Sequence, residues 1–306
     1  MQENENIISE INKLKKEKNA VILAHSYQNL EIDLVADFVG DSLFLSQKAA
    51  ETNADIIVFA GVYFMAQSAK ILSPNKKVLL PDKNAGCKMA DMIDLDKLRE
   101  FKQQYHDIPV VCYINSTAEV KSECDICCTS SNAAEVVKSL KSKEILFVPD
   151  KNLGNYVQSQ IPDIKIHTYN GFCPIHNQIT VEDINTMKNK YPEAKVLTHP
   201  ECQQDVINIS DFVGSTSQII KEVGNSNDNE SIIVTEFGVV ERLGRDFPDK
   251  KFHLISNKAI CKDMKLHKLE DILSSLKNEE YEINIDENLR EKAYLPIKRM
   301  LDLRNK

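Results

Sequence analysis

The chain has 306 residues, of which 42% are hydrophobic, and a formal net charge of -8. This length can bury a substantial core and favours two or three small domains. The acidic balance argues against a general nucleic-acid binder, which normally carries a basic face. No apolar run approaches the roughly 18 residues of a membrane span, and the acidic N-terminus is unlike a secretory signal. We therefore expect a cytoplasmic protein with neither nucleic-acid nor membrane partners.

A four-part pattern organises the chain from its first predicted strand onward. A buried strand at 19–25 is followed by a short apolar run at 37–42 that leads into a helical pattern, and then by strands at 56–59 and 78–80. A cysteine, Cys87, follows within about ten residues. The pattern recurs at 109–113, 125–130, 145–147 and 164–166 before Cys173, and again at 194–199, 211–216, 232–234 and 251–254 before Cys261.

The spacing of the three copies is nearly constant. The residues that end the first strands, His25, Tyr113 and His199, are 88 and 86 positions apart. Alternating strands and helices predict α/β units with small parallel sheets. We expect three pseudo-threefold-related αβα layered domains around a central active site, because ligands bind beyond the carboxyl ends of parallel strands. The predicted domains are 1–86, 87–172 and 173–264, and the helical segment 265–306 is expected to pack back on the first.

Three of the eight cysteines occupy matched positions in the repeats. Eight cysteines in an intracellular chain favour metal binding or catalysis over disulfides. A single buried cysteine is usually just a small hydrophobe. Three at equivalent positions, Cys87, Cys173 and Cys261, instead favour metal ligation with a fourth coordination position left open, as in catalytic sites. Thiolates suit zinc or an iron-sulfur cluster, and the residues alone do not separate these.

The other cysteines are not predicted to be ligands. Cys124 and Cys127 form a C-x-x-C followed by Cys128, but no second pair stands at zinc-finger spacing, so packing near the cavity is the preferred interpretation. Cys112 lies in a predicted strand and is assigned to the core. Cys202 follows Glu201 and is expected near the site, but not as a ligand.

Polar side chains follow the three first strands in pairs. Residues i and i+2 of an extended chain share one face, so each unit presents two groups together. The pairs are His25 with Tyr27, Tyr113 with Asn115, and His199 with Glu201. A lone histidine is usually structural, whereas two repeat-matched histidines favour function. Glu201 is the one carboxylate of the set and is predicted to be a general acid/base, with a salt bridge as an equally good alternative.

Hydroxyl side chains stand at or just before predicted helix starts. Each one alone is explained as an ordinary N-cap. Three helix N-termini that converge would form an anion site without lysines. The hydroxyls are Ser42, Ser130, Ser215 and Thr216. The sequence contains neither G-x-G-x-x-G nor a P-loop, so it gives no support for a dinucleotide or ATP site.

Five segments resemble the quinolinate synthase family in order and spacing. They are 86–91, 125–132, 147–154, 199–202 and 235–236, and the similarity runs from about residue 20 to the C-terminus. The resemblance implies a 4Fe-4S cluster on Cys87, Cys173 and Cys261. It also implies condensation of iminoaspartate with dihydroxyacetone phosphate to quinolinate, with loss of phosphate and water, for de novo NAD synthesis, and functional coupling to an L-aspartate oxidase.

The resemblance assigns roles residue by residue. Glu201, Tyr27 and His199 would be catalytic, with Tyr27 and Glu201 shuttling protons while an open iron acts as a Lewis acid. The implied substrate contacts are His25, Ser42, Tyr113, Asn115, Ser130, His176, Ser215, Thr216 and Met264. Two departures stand out. Ser26 replaces an aromatic residue frequent in the family, and the chain lacks a C-terminal C-x-x-C-x-x-C, so redox control there is not expected.

Two other functions compete with this assignment. One is a cluster-dependent hydro-lyase that acts on a small hydroxy acid and makes no pyridine. The other is a non-catalytic protein that binds zinc or carries electrons on a cluster. A cavity rich in acid/base groups disfavours the carrier, because electron carriers normally surround their cluster with four protein ligands.

Overall fold

The computed structural model describes residues 2–303. The first unit contains α1 (Gln2–Glu17), β1 (Ala20–His25), β2 (Phe38–Gly40), α2 (Ser42–Glu51), β3 (Ile56–Ala60), α3 (Tyr63–Leu72) and β4 (Lys77–Leu79). The second contains α4 (Leu95–Gln103), β5 (Val110–Tyr113), α5 (Ala118–Lys121), β6 (Ile126–Cys128), α6 (Ala133–Ser139), β7 (Glu144–Val148), α7 (Lys151–Gln160) and β8 (Lys165–Thr168).

The third unit and the C-terminal helices complete this part of the chain. The third unit contains α8 (Pro174–Asn177), α9 (Val181–Lys190), β9 (Lys195–Thr198), α10 (Gln204–Asn208), β10 (Phe212–Val213), α11 (Thr216–Asn225), β11 (Glu230–Val234), α12 (Phe237–Asp246) and β12 (Lys251–Leu254). Helices α13 (Leu269–Asn278) and α14 (Glu287–Asp302) follow. Short 3-10 helices lie at Leu30–Leu34, Ala90–Met92 and Asp263–Lys265.

The strands form three four-stranded sheets of identical topology. Their orders are β2-β1-β3-β4, β6-β5-β7-β8 and β10-β9-β11-β12, and every pairing between these strands is parallel. Helices cover the sheets, which explains why a central strand such as β3 (Ile-Ile-Val-Phe-Ala) is apolar and buried along its whole length. The predicted α/β fold with three αβα layers is confirmed.

One aspartate in each unit holds the edge strand against the central strand. These are the aspartates that open the apolar runs of the sequence repeat, and each accepts a hydrogen bond from a backbone N–H of the first strand. The N–H of Ile22 donates to Asp37 (2.8 Å), that of Val110 to Asp125 (2.7 Å) and that of Val196 to Asp211 (2.8 Å). The repeat in sequence is thus a repeat of a specific backbone contact.

The C-terminal helices pack on two units. Helix α13 packs on α1 and β3 of the first unit, whereas α14 packs on β6 and α5 of the second unit and on α3 of the first. The domain boundaries stay a prediction. Within the described residues, the helices lack the combination of length and apolar character that a membrane span requires.

A buried arginine fastens the third unit to the first. Arg242 of α12 is 2% exposed, its Nε donates to the backbone oxygen of Ser26 (2.7 Å), and its guanidinium pairs with Asp33. Arg245, one turn later, also pairs with Asp33 (2.6 Å), but its side chain is 45% exposed. Because Ser26 lies between His25 and Tyr27, this contact supports the segment that carries two predicted site residues.

We predict that Arg242→Met lowers the free energy of unfolding by about 3–5 kcal/mol, because the change breaks a buried ion pair and leaves the Ser26 carbonyl without its donor. Arg245→Met is the matched control and should cost less than about 1 kcal/mol, since its ion pair faces solvent. Urea unfolding followed by circular dichroism measures both values. Equal losses for the two variants would contradict the role given to Arg242.

Candidate active site

One cavity of about 350 Å³ lies where the carboxyl ends of the three sheets meet. It is lined by residues from all three units, including most of the predicted site residues. These are His25, Tyr27, Ser42, Cys87, Tyr113, Asn115, Ser130, Cys173, His176, His199, Glu201, Thr216, Cys261 and Met264. The convergence expected from the pseudo-threefold repeat therefore brings these side chains around one space.

Ser215 is the predicted site residue that does not line this cavity. It is fully buried, and its hydroxyl caps α11 by accepting from the N–H of Gln218 (3.4 Å). Its Oγ also lies 2.8 Å from Oγ of Ser131, which donates to Asp41 (2.8 Å). Asp41, Ser131 and Ser215 thus join the three units beside the helix starts. The substrate role of Ser215 stays a prediction.

Asp41 changes the expected anion site. It lines the cavity, and its carboxylate caps α2 by accepting from the N–H of Phe44 (3.1 Å). One of the converging helix N-termini is therefore already neutralised by a carboxylate of the chain itself. An anionic ligand would rely more on the hydroxyls of Ser42, Ser130 and Thr216, which face the same cavity.

Glu201 is the centre of the polar network. It is 4% exposed, its Oε1 accepts from the Tyr113 hydroxyl (2.6 Å), and its Oε2 lies 2.7 Å from Nδ1 of His176. Burial raises the pKa of Glu201, but its contacts with His176, His199 and Tyr113 outweigh burial and bring that pKa below its usual value. The carboxylate is thus ionised at neutral pH and can accept a proton.

His25 and His199 are buried, neutral and oriented alike. Burial lowers the pKa of His25 to about 4 and that of His199 to about 3. Nδ1 of His25 accepts from the N–H of Tyr27 (3.1 Å), and Nδ1 of His199 accepts from the N–H of Glu201 (3.3 Å). With Nδ1 as an acceptor, the single ring proton is on Nε2. Both imidazoles can therefore donate one hydrogen bond from Nε2 to a bound ligand.

A chain of hydroxyls connects Tyr27 to Glu201. The Tyr27 hydroxyl lies 3.2 Å from Thr216 Oγ1 and 3.1 Å from Thr235 Oγ1, and Thr235 Oγ1 lies 2.9 Å from Nε2 of His176. His176 completes the connection through its contact with Glu201. Burial raises the pKa of Tyr27 and keeps its hydroxyl protonated. From the sequence, Thr235 has no predicted role beyond its place in a family motif, because its two partners, Tyr27 and His176, come from distant segments.

Two buried carboxylates hold two of the repeat-matched cysteines. The N–H of Cys173 donates to Asp150 (3.2 Å), and the N–H of Cys261 donates to Glu236 (3.2 Å). Asp150 and Glu236 are N-caps of α7 and α12, and they stand 86 positions apart, as do equivalent residues of those repeats. Neither residue was assigned a role from the sequence, although an acidic residue two positions after the third strand of the second and third units was a readable signal.

The thiols of Cys87, Cys173 and Cys261 are free and partly buried. Burial raises the pKa of Cys87 to about 12 and that of Cys261 to about 11, so these thiols are protonated without a metal. The ligand atoms of Cys173, His176 and Glu201 lie within 4.8 Å of one another, a group that could bind a metal ion.

The remaining cysteines lie outside the wall of the cavity. Cys112, Cys127 and Cys128 are fully buried in the core of the second unit, and Cys124 is 8% exposed beside them. Cys202 is also fully buried, among apolar residues of the third unit. The cysteines that line this cavity are therefore the three repeat-matched ones, and the C-x-x-C lies outside it.

Comparison with known proteins gives a consistent result over nearly the whole chain. A family model described as "Quinolinate synthetase A protein" matches residues 9–302. The chain is 54% identical to the quinolinate synthase of Alkaliphilus metalliredigens, over 98% of the chain and 99% of that protein. It is also 54% identical to quinolinate synthase 2 of Methanosarcina acetivorans, over 97% of the chain and 96% of that protein. The chain is 49% identical to the quinolinate synthase of Caldicellulosiruptor saccharolyticus, over 98% of the chain and 99% of that protein.

We predict that the rings of His25 and His199 stay neutral from pH 5.5 to pH 8, with the proton on Nε2, because burial lowers the pKa of both. Nitrogen chemical shifts of 15N-histidine, assigned with His25→Asn and His199→Asn, should not change over this range. An unfolded histidine binds its proton near pH 6.5, so each ring lowers the free energy of unfolding as the pH falls below that value. A titration midpoint near pH 6.5 for either ring would refute the assignment.

Proposed function

Because the chain belongs to the quinolinate synthase family and is an enzyme of that kind, we propose that it condenses iminoaspartate with dihydroxyacetone phosphate to quinolinate on a 4Fe-4S cluster bound by Cys87, Cys173 and Cys261. The observation that carries the proposal is the shared cavity. The thiol that follows the last strand of each unit faces the same space as an ionised carboxylate and two neutral histidines.

The chemistry of the donors fits the proposed cluster. The three thiols are free, none is in a disulfide, and soft thiolates are the usual ligands of iron-sulfur clusters. Asp150 and Glu236 hold the backbone of two of these cysteines, as outer contacts do around metal sites. When bound, a cluster with three protein ligands supplies a Lewis-acidic iron with an open coordination position.

Substrate binding would use the polar wall of the cavity. The side-chain oxygen of Asn115 is buried without a hydrogen-bond partner, and Asn115 lines the cavity. Buried polar atoms are rarely left unpaired, so this oxygen supports a contact with a ligand N–H or O–H group. The Nε2–H groups of His25 and His199 would donate to carboxylate, carbonyl or phosphate oxygens, as would the hydroxyls of Ser42, Ser130 and Thr216.

Proton transfer would centre on Glu201. Its ionised carboxylate would accept a proton from carbon or nitrogen during enolisation and imine closure, while Tyr113 and His176 hold its two oxygens. Tyr27, which is protonated and hydrogen-bonded to two threonine hydroxyls, would donate a proton to a substrate hydroxyl group that leaves as water, and would regain a proton along the chain through Thr235. The family resemblance also supports a cytoplasmic location and an L-aspartate oxidase as the source of the imine.

We predict that anaerobically purified protein forms quinolinate from the two proposed substrates and that Glu201→Gln lowers kcat by about 100-fold or more with the cluster retained. The amide keeps the shape of the side chain but cannot take up a proton at that position. Glu230→Gln is the control, because Glu230 pairs with His253 outside the cavity (2.8 Å). A hydro-lyase would give no pyridine, and a carrier protein would be indifferent to Glu201→Gln.

We predict that Cys87→Ser, Cys173→Ser and Cys261→Ser each remove the visible absorbance of the cluster and most of the bound iron, because each loses one of three thiolate ligands. Cys124→Ser, which changes a core cysteine, should keep both. Iron and sulfide analysis of anaerobic protein measures the outcome. Full cluster content in any of the first three variants would refute the ligand assignment, and zinc without sulfide would favour the zinc alternative.

A further inference from the structure

We propose that the cluster-free protein binds one divalent transition-metal ion, with Zn²⁺ the favoured ion, through Cys173 Sγ, His176 Nδ1 and Glu201 Oε2. This site differs from the cluster site, which takes its three thiolates from three units, and shares one residue with it. The ion site itself does not depend on the proposed function. Its effect on the enzyme does, because Cys173 would bind the cluster and Glu201 would take part in proton transfer. Ion and cluster would therefore exclude each other.

The three ligand atoms already stand close together. Nδ1 of His176 is 3.3 Å from Cys173 Sγ and 2.7 Å from Glu201 Oε2, and the three atoms lie within 4.8 Å of one another. Zinc bonds of about 2.0–2.3 Å in tetrahedral geometry separate neighbouring ligands by about 3.3–3.8 Å. An ion would fit if the carboxylate and the imidazole moved apart by about half an ångström.

Each of the three proposed ligand residues has a hydrogen-bond contact with a second residue on the side away from the ion. Nε2 of His176 is 2.9 Å from Thr235 Oγ1, so a proton on Nε2 would leave the Nδ1 lone pair for the metal. The Tyr113 hydroxyl holds Oε1 of Glu201 (2.6 Å) and leaves Oε2 toward the site. Asp150 accepts from the N–H of Cys173 (3.2 Å). Such outer contacts orient the ligands at metal sites and raise their affinity.

Charge and burial also favour a dication. The side chains of His176 and Glu201 are 1% and 5% exposed, and the partly exposed Cys173 borders the cavity. A thiolate, a carboxylate and a neutral imidazole together carry two negative charges, which one divalent ion neutralises. One sulfur, one nitrogen and one oxygen ligand with an open side suit zinc better than magnesium or calcium. Zinc also binds such donors more tightly than ferrous iron does.

The consequence is competition between the ion and the cluster. A bound ion would occupy Cys173, which the cluster needs, and Glu201, which the proton transfer needs. Binding would release the proton of the Cys173 thiol and any proton on Nδ1 of His176 to solvent, and the imidazole would keep one proton, on Nε2 opposite Thr235. Zinc bound to protein that has lost its cluster would thus prevent the assembly of a new cluster.

The experiment titrates anaerobic, cluster-free protein with Zn²⁺ against a chromophoric chelator, and with Co²⁺ to detect a thiolate-to-cobalt charge-transfer band. Wild type should bind one ion per chain. Cys173→Ser, His176→Asn and Glu201→Gln should each weaken binding by more than about 100-fold. Cys87→Ser and Cys261→Ser are matched controls that should bind within about threefold of wild type, although neither retains a cluster. Circular dichroism verifies that each variant is folded.

A second measurement uses cluster reconstitution. One equivalent of Zn²⁺ should block reconstitution of wild type but not of Glu201→Gln, which keeps all three cysteines. Two results would overturn the proposal: equal loss of zinc affinity in Cys87→Ser and Cys173→Ser, which indicates a three-thiolate site, or unchanged affinity in Glu201→Gln. Failure to form quinolinate would count against the proposed function and would leave these affinities unchanged.

Discussion

The carboxyl ends of β1, β5 and β9 face a single cavity, and the position of every functional group in it depends on that convergence. Each of these strands is fixed in its sheet by an aspartate fifteen residues beyond the bonded N–H, through Asp37, Asp125 and Asp211. A parallel sheet places the chemistry beyond its carboxyl edge. Three sheets related by pseudo-symmetry therefore contribute one strand end and one cysteine each.

The protonation state of each titratable group in the cavity follows from its hydrogen-bond partners and its burial. Glu201 accepts hydrogen bonds on both oxygens and is ionised, whereas His25 and His199 accept backbone N–H groups on Nδ1 and are neutral. Environments that push the pKa values of neighbouring groups apart are how proteins assign acid and base roles. Here the carboxylate of Glu201 is able to accept a proton and the two neutral histidines are able to donate a hydrogen bond, although all three follow the same kind of strand.

The three units differ in the residue that lies behind each repeat-matched cysteine. The N-cap residue after the third strand is Val62 in the first unit, Asp150 in the second and Glu236 in the third. Asp150 and Glu236 accept hydrogen bonds from the backbones of Cys173 and Cys261, whereas the apolar side chain of Val62 cannot accept one from the loop of Cys87. The backbones of Cys173 and Cys261 therefore each have a side-chain acceptor, and His176 and Glu201 lie beside Cys173 as the other donors of the proposed ion site.

The sequence by itself determined the fold, the three repeats, the matched cysteines and most of the cavity wall, because strand and helix periodicity is local and the repeat copied it three times. Tertiary structure alone decided which groups meet. Ser215 caps a helix instead of lining the cavity, Asp41 occupies part of the expected anion site, and Thr235 links Tyr27 to His176. The contacts of Tyr27 with Thr235, and of Ser131 with Asp41 and Ser215, join residues from different units. Their geometry depends on how the units pack, which no local pattern of residues encodes.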